Sequence, residues 1–248
     1  MKPLNPFLNR NKITNPREFF GRKNEIEYIL EKLAYPEPQS VAIVGERRCG
    51  KSSLLTYVYT QLSQDRENLP PQFQNYVCIL LDPEEIATDH PEYFVWIILD
   101  ELISENPALL PYLKHYPSTE AQHSLPKRNP HIILKNLLKE ACQQGFRFVF
   151  FIDEFELLAR NPKLREVRFL HYLRGISDNY ALAFVTSSRR PLSEISYDAD
   201  PHGSPFDNNF SQPLLLGLFP EQESTELING ILKQHNHDPC LFQMAEIE

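Results

Sequence analysis

The sequence predicts an α/β fold: a five-stranded parallel sheet between two helical layers, a three-layer αβα sandwich. Two observations predict it. Five short segments, "VAIVG", "YVCILLD", "FRFVFFIDE", "ALAFVTSS" and "PLLLGLF", are apolar almost throughout, as strands covered on both faces must be. Between them lie segments whose apolar residues recur at helical spacing, the crossovers that parallel strands require.

Residues 1–18, with three prolines and four asparagines, read as an extended arm. A helix begins near Asn24, with Ile26, Ile29, Leu30 and Leu33 on one face, and "YPEP" ends it. The first strand (41–45) leads into a helix over 51–64, and the second strand (76–82) into a helix over 92–104. Residues 105–130 form a proline-rich, irregular excursion before the helix "HIILKNLLKEAC" and the third strand (146–154). A helix over 163–175 turns Leu164, Val167, Leu170 and Leu173 inward, and the fourth strand covers 181–188. Proline- and glycine-broken loop fills 189–212 before the fifth strand (213–219). The last helix opens on Pro220 with acidic residues in its first turn, where the helix dipole favours them.

A chain of 248 residues holds one large domain, and 42% hydrophobic with 23% charged residues is ordinary globular usage. The longest apolar run, Phe94 to Leu99, is too short to cross a bilayer. The opening "MKPLNPFLNRNK" has no secretion signal, and Cys49, Cys78, Cys142 and Cys240 form no CxxC pair, so a reduced, cytoplasmic protein without a membrane partner is expected. A net charge of −8 argues against wholesale wrapping of nucleic acid. Its distribution is uneven, with Lys2, Arg10, Lys12, Arg17, Arg22 and Lys23 within residues 1–24 and Arg160, Lys163, Arg165, Arg168 and Arg174 further on.

Gly45, Gly50, Lys51 and Ser52 satisfy G-x-x-x-x-G-K-[ST] between a strand and a helix. That spacing lets successive backbone N–H groups curl towards one point at a helix N-terminus, a cradle for phosphate. Lys51 is expected on the β- and γ-phosphates of ATP, or on the β-phosphate when ADP is bound, and Ser52 on Mg²⁺. Cys49 lies in the same loop as a small residue filling a tight turn. A carboxylate on the neighbouring strand must hold the metal, and "FVFFIDE" supplies Asp153 for that part and Glu154 as general base towards water. At the tip of the fourth strand, Thr186, Ser187 and Ser188 are candidates to hold that water or touch phosphate. Arg189 and Arg190 follow, and Arg189, nearer the strand tip, is the stronger candidate for reading the γ-phosphate.

In this order the motifs resemble the STAND class of P-loop ATPases, close to the AAA+ and origin-initiator ATPases, over about residues 5–232. "FFGRKNEIEYIL" resembles the segment that precedes the phosphate loop in that class and helps seat the adenine; "GERRCGKSS", "FFIDEFE" and "FVTSSRRPL" follow. The resemblance implies nucleotide contacts from Gly50, Lys51, Ser52 and Ser53, a metal at Ser52 and Asp153, and catalysis at Glu154. It also implies γ-phosphate sensing by Arg189, and places Phe20, Gly21 and Arg22 near the base. The domain expected is 19–232, after the arm and before the start of a lid at 233–248. The class's helical and winged-helix lid would follow "DPCLFQMAEIE"; the expectation is either a sequence cut short of it or a lidless form, with looser nucleotide binding. No arginine stands just before the fifth strand to act in trans within a ring.

Three functions of different kinds fit. The first is the core of a signalling switch that binds ATP, hydrolyses it slowly, and changes shape, self-associates or engages a protein effector. The second is a DNA-associated ATPase of the initiator or transposition-regulator type, and the third a phosphotransferase. The Asp153–Glu154 pair argues against the third, since a base aimed at water would waste ATP, and the net charge weighs against the second.

Overall fold

The computed structural model describes residues 11–64, 68–84, 86, 90–113, 129–166, 169–199 and 206–234. Expectations for residues 1–10, for 114–128, for Val167 and for the lid residues 235–248 lie outside them. In chain order the elements are α1 (Lys23–Leu33), β1 (Val41–Val44), α2 (Lys51–Gln64), β2 (Tyr76–Leu81), α3 (Pro91–Glu105), α4 (Pro130–Gln143) and β3 (Arg147–Ile152). There follow α5 (Phe155–Arg160), α6 (Pro162–Glu166), α7 (Phe169–Asn179), β4 (Leu182–Ser188), α8 (Leu192–Ala199), β5 (Leu214–Leu215) and α9 (Glu221–Gln234).

The five strands form one parallel sheet in the order β2-β3-β4-β1-β5. The long strands are apolar along most of their length, and their apolar residues divide by parity between two cores, as the two-residue period of a strand demands. Val41, Ile43, Tyr76, Cys78, Val149, Phe151, Ala183 and Val185 face α1 and α2, through Ile29, Leu33, Leu54, Leu55, Val58 and Leu62. Ala42, Val44, Val77, Ile79, Phe148, Phe150, Leu182 and Phe184 face the other layer, built from α3, α4, α5, α7 and α8. Fully buried Phe148, Phe150, Phe184 and Phe206 thicken this second core, and each such ring contributes roughly 1.5–3 kcal/mol relative to an exposed one. All strands run the same way, so their C-terminal ends, and the loops that carry the candidate chemistry, meet on one edge.

The structure differs from the sequence expectation in three places. Residues 192–199, expected as loop, are α8: Pro191 starts the helix rather than breaking the chain, and its carbonyl accepts from Glu194 and Ile195 N–H. The acidic strand end turns at once into α5, whose Phe155, Leu158 and Ala159 reach the core at helical spacing. The fifth strand shrinks from seven residues to Leu214–Leu215, with Leu216 N–H still donating to Val44 C=O at 2.7 Å. Just past the ladder, the Gly217 carbonyl accepts from Arg22 Nη2 at 2.6 Å.

Candidate nucleotide site

β1 ends at Val44 and the chain crosses to α2 through residues 45–50. Gly45 N–H donates to Ser188 C=O at 3.2 Å, anchoring the loop to β4. A Cβ at Gly45 would lie 2.6 Å from Leu216 O and 2.9 Å from Cys49 Sγ, so only glycine fits. Arg48 (φ 68°) and Gly50 (φ 95°) both adopt left-handed backbone, bending the loop into a concave turn; open space surrounds Gly50, whose demand is conformational. The first amides of α2, at Lys51, Ser52 and Ser53, have no partner within the helix, so the loop offers several donors beside a positive helix end. Lys51 Nζ folds back over it to Glu46 C=O at 2.9 Å.

Asp153, 4% exposed, gathers the site. Its Oδ1 accepts from Ser52 Oγ at 3.1 Å, from Glu154 N–H at 3.0 Å, and from the Ser187 hydroxyl. The carboxylate expected on a strand beside β1 is in fact two strands away, because β4 lies between β1 and β3. β4 bridges the gap with consecutive residues. Ser188 holds the loop through its carbonyl, and Ser187 holds the carboxylate through its hydroxyl. Among the three polar candidates at this strand tip, Ser188 Oγ turns instead to Arg190 C=O at 2.7 Å, and Thr186 Oγ1 is buried without a partner.

Glu154 sits in left-handed backbone (φ 41°), a conformation costing a non-glycine residue about 1–2 kcal/mol, and it caps α5. Burial, and next the charge of Glu84, push its carboxyl above the ordinary range, while Arg189 opposes them. Arg189 lies beside it, with Nη2 3.9 Å from Glu154 Oε1 and Nε 3.6 Å from Glu156 Oε1. Glu156 Oε1 also accepts the Arg189 backbone N–H at 3.3 Å. Arg190 points away to Glu194 at 2.9 Å on α8. Glu156 is not legible in the sequence, which assigns no element or role to the residues just past Glu154, yet it is only 7% exposed.

Ser53 Oγ accepts Ile13 N–H at 3.0 Å, so the described part of the arm crosses the start of α2. Phe20, Gly21 and Arg22 adjoin this edge but contact α9 and the turn before it. A Cβ on Gly230 would fall 2.2 Å from the Phe20 ring, and one on Gly21 would fall 2.9 Å from both Glu223 Oε2 and the Phe219 ring.

The family model of novel STAND NTPase 1 matches residues 6–234. The chain belongs to this STAND NTPase family. It carries a P-loop NTPase domain, and nucleotide binding follows from the family. The STAND NTPase resembles the Walker-type ATPase PABY2304 of Pyrococcus abyssi (19% identity, TM-score 0.60), over 93% of this chain and 63% of that one. It also resembles the ORC2 protein of Aeropyrum pernix in ADPNP–ADP complexes (14%, 0.60, 91% and 54%) and the same organism's ORC1 protein in complex with DNA (13%, 0.54, 88% and 50%). At these identities the likeness is one of fold, and the chain spans from half to under two thirds of those proteins' length. A search of curated proteins finds no match. Among the described residues no helix is long and apolar enough to cross a membrane.

Proposed function

We propose that residues 19–232 form the ATP-binding and slowly hydrolysing switch of a cytoplasmic signalling STAND ATPase, preceded by the 1–18 arm and followed by the start of a lid at 233–248. The observation that carries this reading is the meeting of Ser52 Oγ with Asp153 Oδ1, 3.1 Å apart, beside a loop of inward-turning amides. These are hard oxygen donors, and Mg²⁺ characteristically takes one or two such protein ligands together with phosphate oxygens. Gly45, Cys49 and Gly50 shape the cradle, and the amides of Lys51, Ser52 and Ser53 would hold phosphate. Lys51, now resting on a carbonyl of its own loop, supplies the cation for the terminal phosphates. Bound Mg²⁺ would act as a Lewis acid, spreading the charge that develops on the phosphate oxygens.

Glu154 takes the proton of the attacking water, and Ser187 holds Asp153 in place. Arg189 reads the terminal phosphate. Its pairing with Glu154 and Glu156 ties the base to the sensor, which supports slow turnover. Replacing one carboxylate contact of Arg189 with a phosphate oxygen would change the strand-four tip and, through it, the surface presented to another copy or an effector. Sizing the protein with ADP and with a non-hydrolysable ATP analogue tests this reading. A larger or reshaped species with the analogue alone is expected; identical profiles in both states would remove the switch.

The second reading, a DNA-associated ATPase, draws on the ORC1 structure solved with DNA. Three of the described cations of residues 1–24 are committed elsewhere: Lys12 to Asp82 at 3.3 Å, Lys23 to Glu226 at 3.0 Å, and Arg22 in the interior. No DNA binding at low salt is expected, whereas an affinity falling steeply with log[salt] would favour this second reading.

A further inference from the structure

Arg22 is buried to 3% exposure, and its side chain reaches three separate parts of the chain. Nη2 donates to Cys49 C=O at 3.2 Å in the phosphate loop and to Gly217 C=O at 2.6 Å just past β5. Nη1 pairs with Glu25 at 2.8 Å on α1. The guanidinium carbon lies 3.9 Å from the centroid of the Phe219 ring, a cation–π contact. The backbone is as constrained as the side chain. Gly21 (φ 72°) and Arg22 (φ 60°) are successive left-handed residues, and Glu223 of α9 accepts the Arg22 N–H at 2.7 Å and the Lys23 N–H at 3.4 Å. A carboxylate from α9 thus caps the N-terminus of α1, where the helix dipole favours it.

The contact with Cys49 bears on phosphate directly. The described chain has no cis peptide bond, and in a planar trans peptide the C=O and the following N–H point in opposite directions. Fixing Cys49 C=O towards Arg22 therefore turns Gly50 N–H to the opposite side, away from the guanidinium. Gly50, at φ 95° with open space where a Cβ would stand, has no side chain to set this peptide's orientation. Arg22 sets it from outside the loop.

We infer that Arg22 is a positioning residue for phosphate binding: it orients the Cys49–Gly50 peptide and fastens the loop to the turn before α9, and does not act by contacting the base. This rests on the nucleotide site proposed above. It makes the loop and the start of α9 one mechanical unit, so a change in the loop's grip is carried to the chain after β5. Lysine keeps the charge but offers a single point in place of the guanidinium fork, and cannot serve Cys49 C=O, Gly217 C=O and Glu25 together.

The test compares ATP with inorganic tripolyphosphate, which has no base, by calorimetry at a temperature where circular dichroism shows every variant folded. Arg22→Lys is expected to lose about tenfold or more in affinity for both ligands, by the same factor. Lys51→Ala is expected to lose both ligands. If Arg22→Lys keeps parental tripolyphosphate affinity while ATP weakens, Arg22 serves the base and the inference is overturned, with the nucleotide site intact. A parent that binds neither ligand overturns that site and this inference together. Should the Arg22 variants not fold, Phe219→Leu removes only the ring beneath the guanidinium; a smaller, equal loss for both ligands is expected, and unchanged tripolyphosphate affinity overturns the inference.

Discussion

Two arginines flank the same loop edge and are held in opposite ways. Arg22 has a side chain 4% exposed, with bonds of 2.6–3.2 Å to two carbonyls and a carboxylate and an aromatic ring beneath it. Arg189 is 49% exposed and lies 3.6 and 3.9 Å from the carboxylates of Glu156 and Glu154. The first is fixed by geometry that water cannot easily replace. The second is paired across distances longer than a hydrogen bond, in an environment where solvent competes and such pairs contribute little. On the proposed reading one arginine builds the cradle, and the other exchanges a carboxylate for a phosphate oxygen.

The largest effect that sharpens this contrast belongs to neither arginine. Lys51→Ala should weaken ATP and ADP binding by about a hundredfold or more, since a charge-assisted contact is lost, while the thermal midpoint stays put because its ammonium is exposed. Parental affinity in that variant would break the site assignment altogether. Glu154→Gln should bind Mg·ATP as the parent does and lose turnover by about 10²–10⁴-fold, the usual span for removing a general base. A single-turnover assay at the parental rate would place the base elsewhere. Arg189→Ala should leave ADP affinity unchanged and reduce the preference for an ATP analogue by about tenfold, one charged contact's worth. If ADP and the analogue weaken equally, Arg189 is scaffold like Arg22 and the contrast collapses.

The smallest effect is a pH dependence of stability in the nucleotide-free, metal-free protein. Burial raises the Glu154 carboxyl in the folded state, so between its unfolded and folded pKa values the folded protein binds more protons than the unfolded chain. Stability from this group is therefore present at acid pH and is lost as pH rises through the folded value. Glu154→Gln does not titrate, so its thermal midpoint relative to the parent should rise as pH increases from the ordinary carboxylate range through the raised folded value. A constant difference across that range would show that the carboxyl is not perturbed in the way its surroundings imply.

Much of the site could be read from local pattern. Gly45, Gly50, Lys51 and Ser52 sit at fixed spacing because a strand, a tight turn and a helix must follow one another, and the chain alone dictates that. Asp153 and Glu154 were visible as charges ending an apolar run. What pattern could not give was adjacency. The acidic pair was expected on a strand beside β1, but β4 intervenes, and Ser187 and Ser188 turn out to be the bridge. Glu156, Phe219 and Glu223 carry no sequence signal for the contacts they make, since a glutamate near a helix start is ordinarily solvated and an apolar residue at a strand end is ordinarily core. Their part comes from Arg189 and Arg22 arriving from elsewhere in the chain. The short α5 and α8 were missed for a related reason: one or two turns of apolar spacing are too few to stand out beside a strand or a proline.

By itself, then, the sequence determined the layers, the parallel sheet and the phosphate-loop motif, because periodicity and turn residues act over a few neighbouring positions. Only the tertiary structure decided which strand lies between which, and which arginine is locked and which is loose. Strand order and burial depend on contacts between residues as far apart as Arg22 and Gly217, and no local pattern encodes a contact of that range.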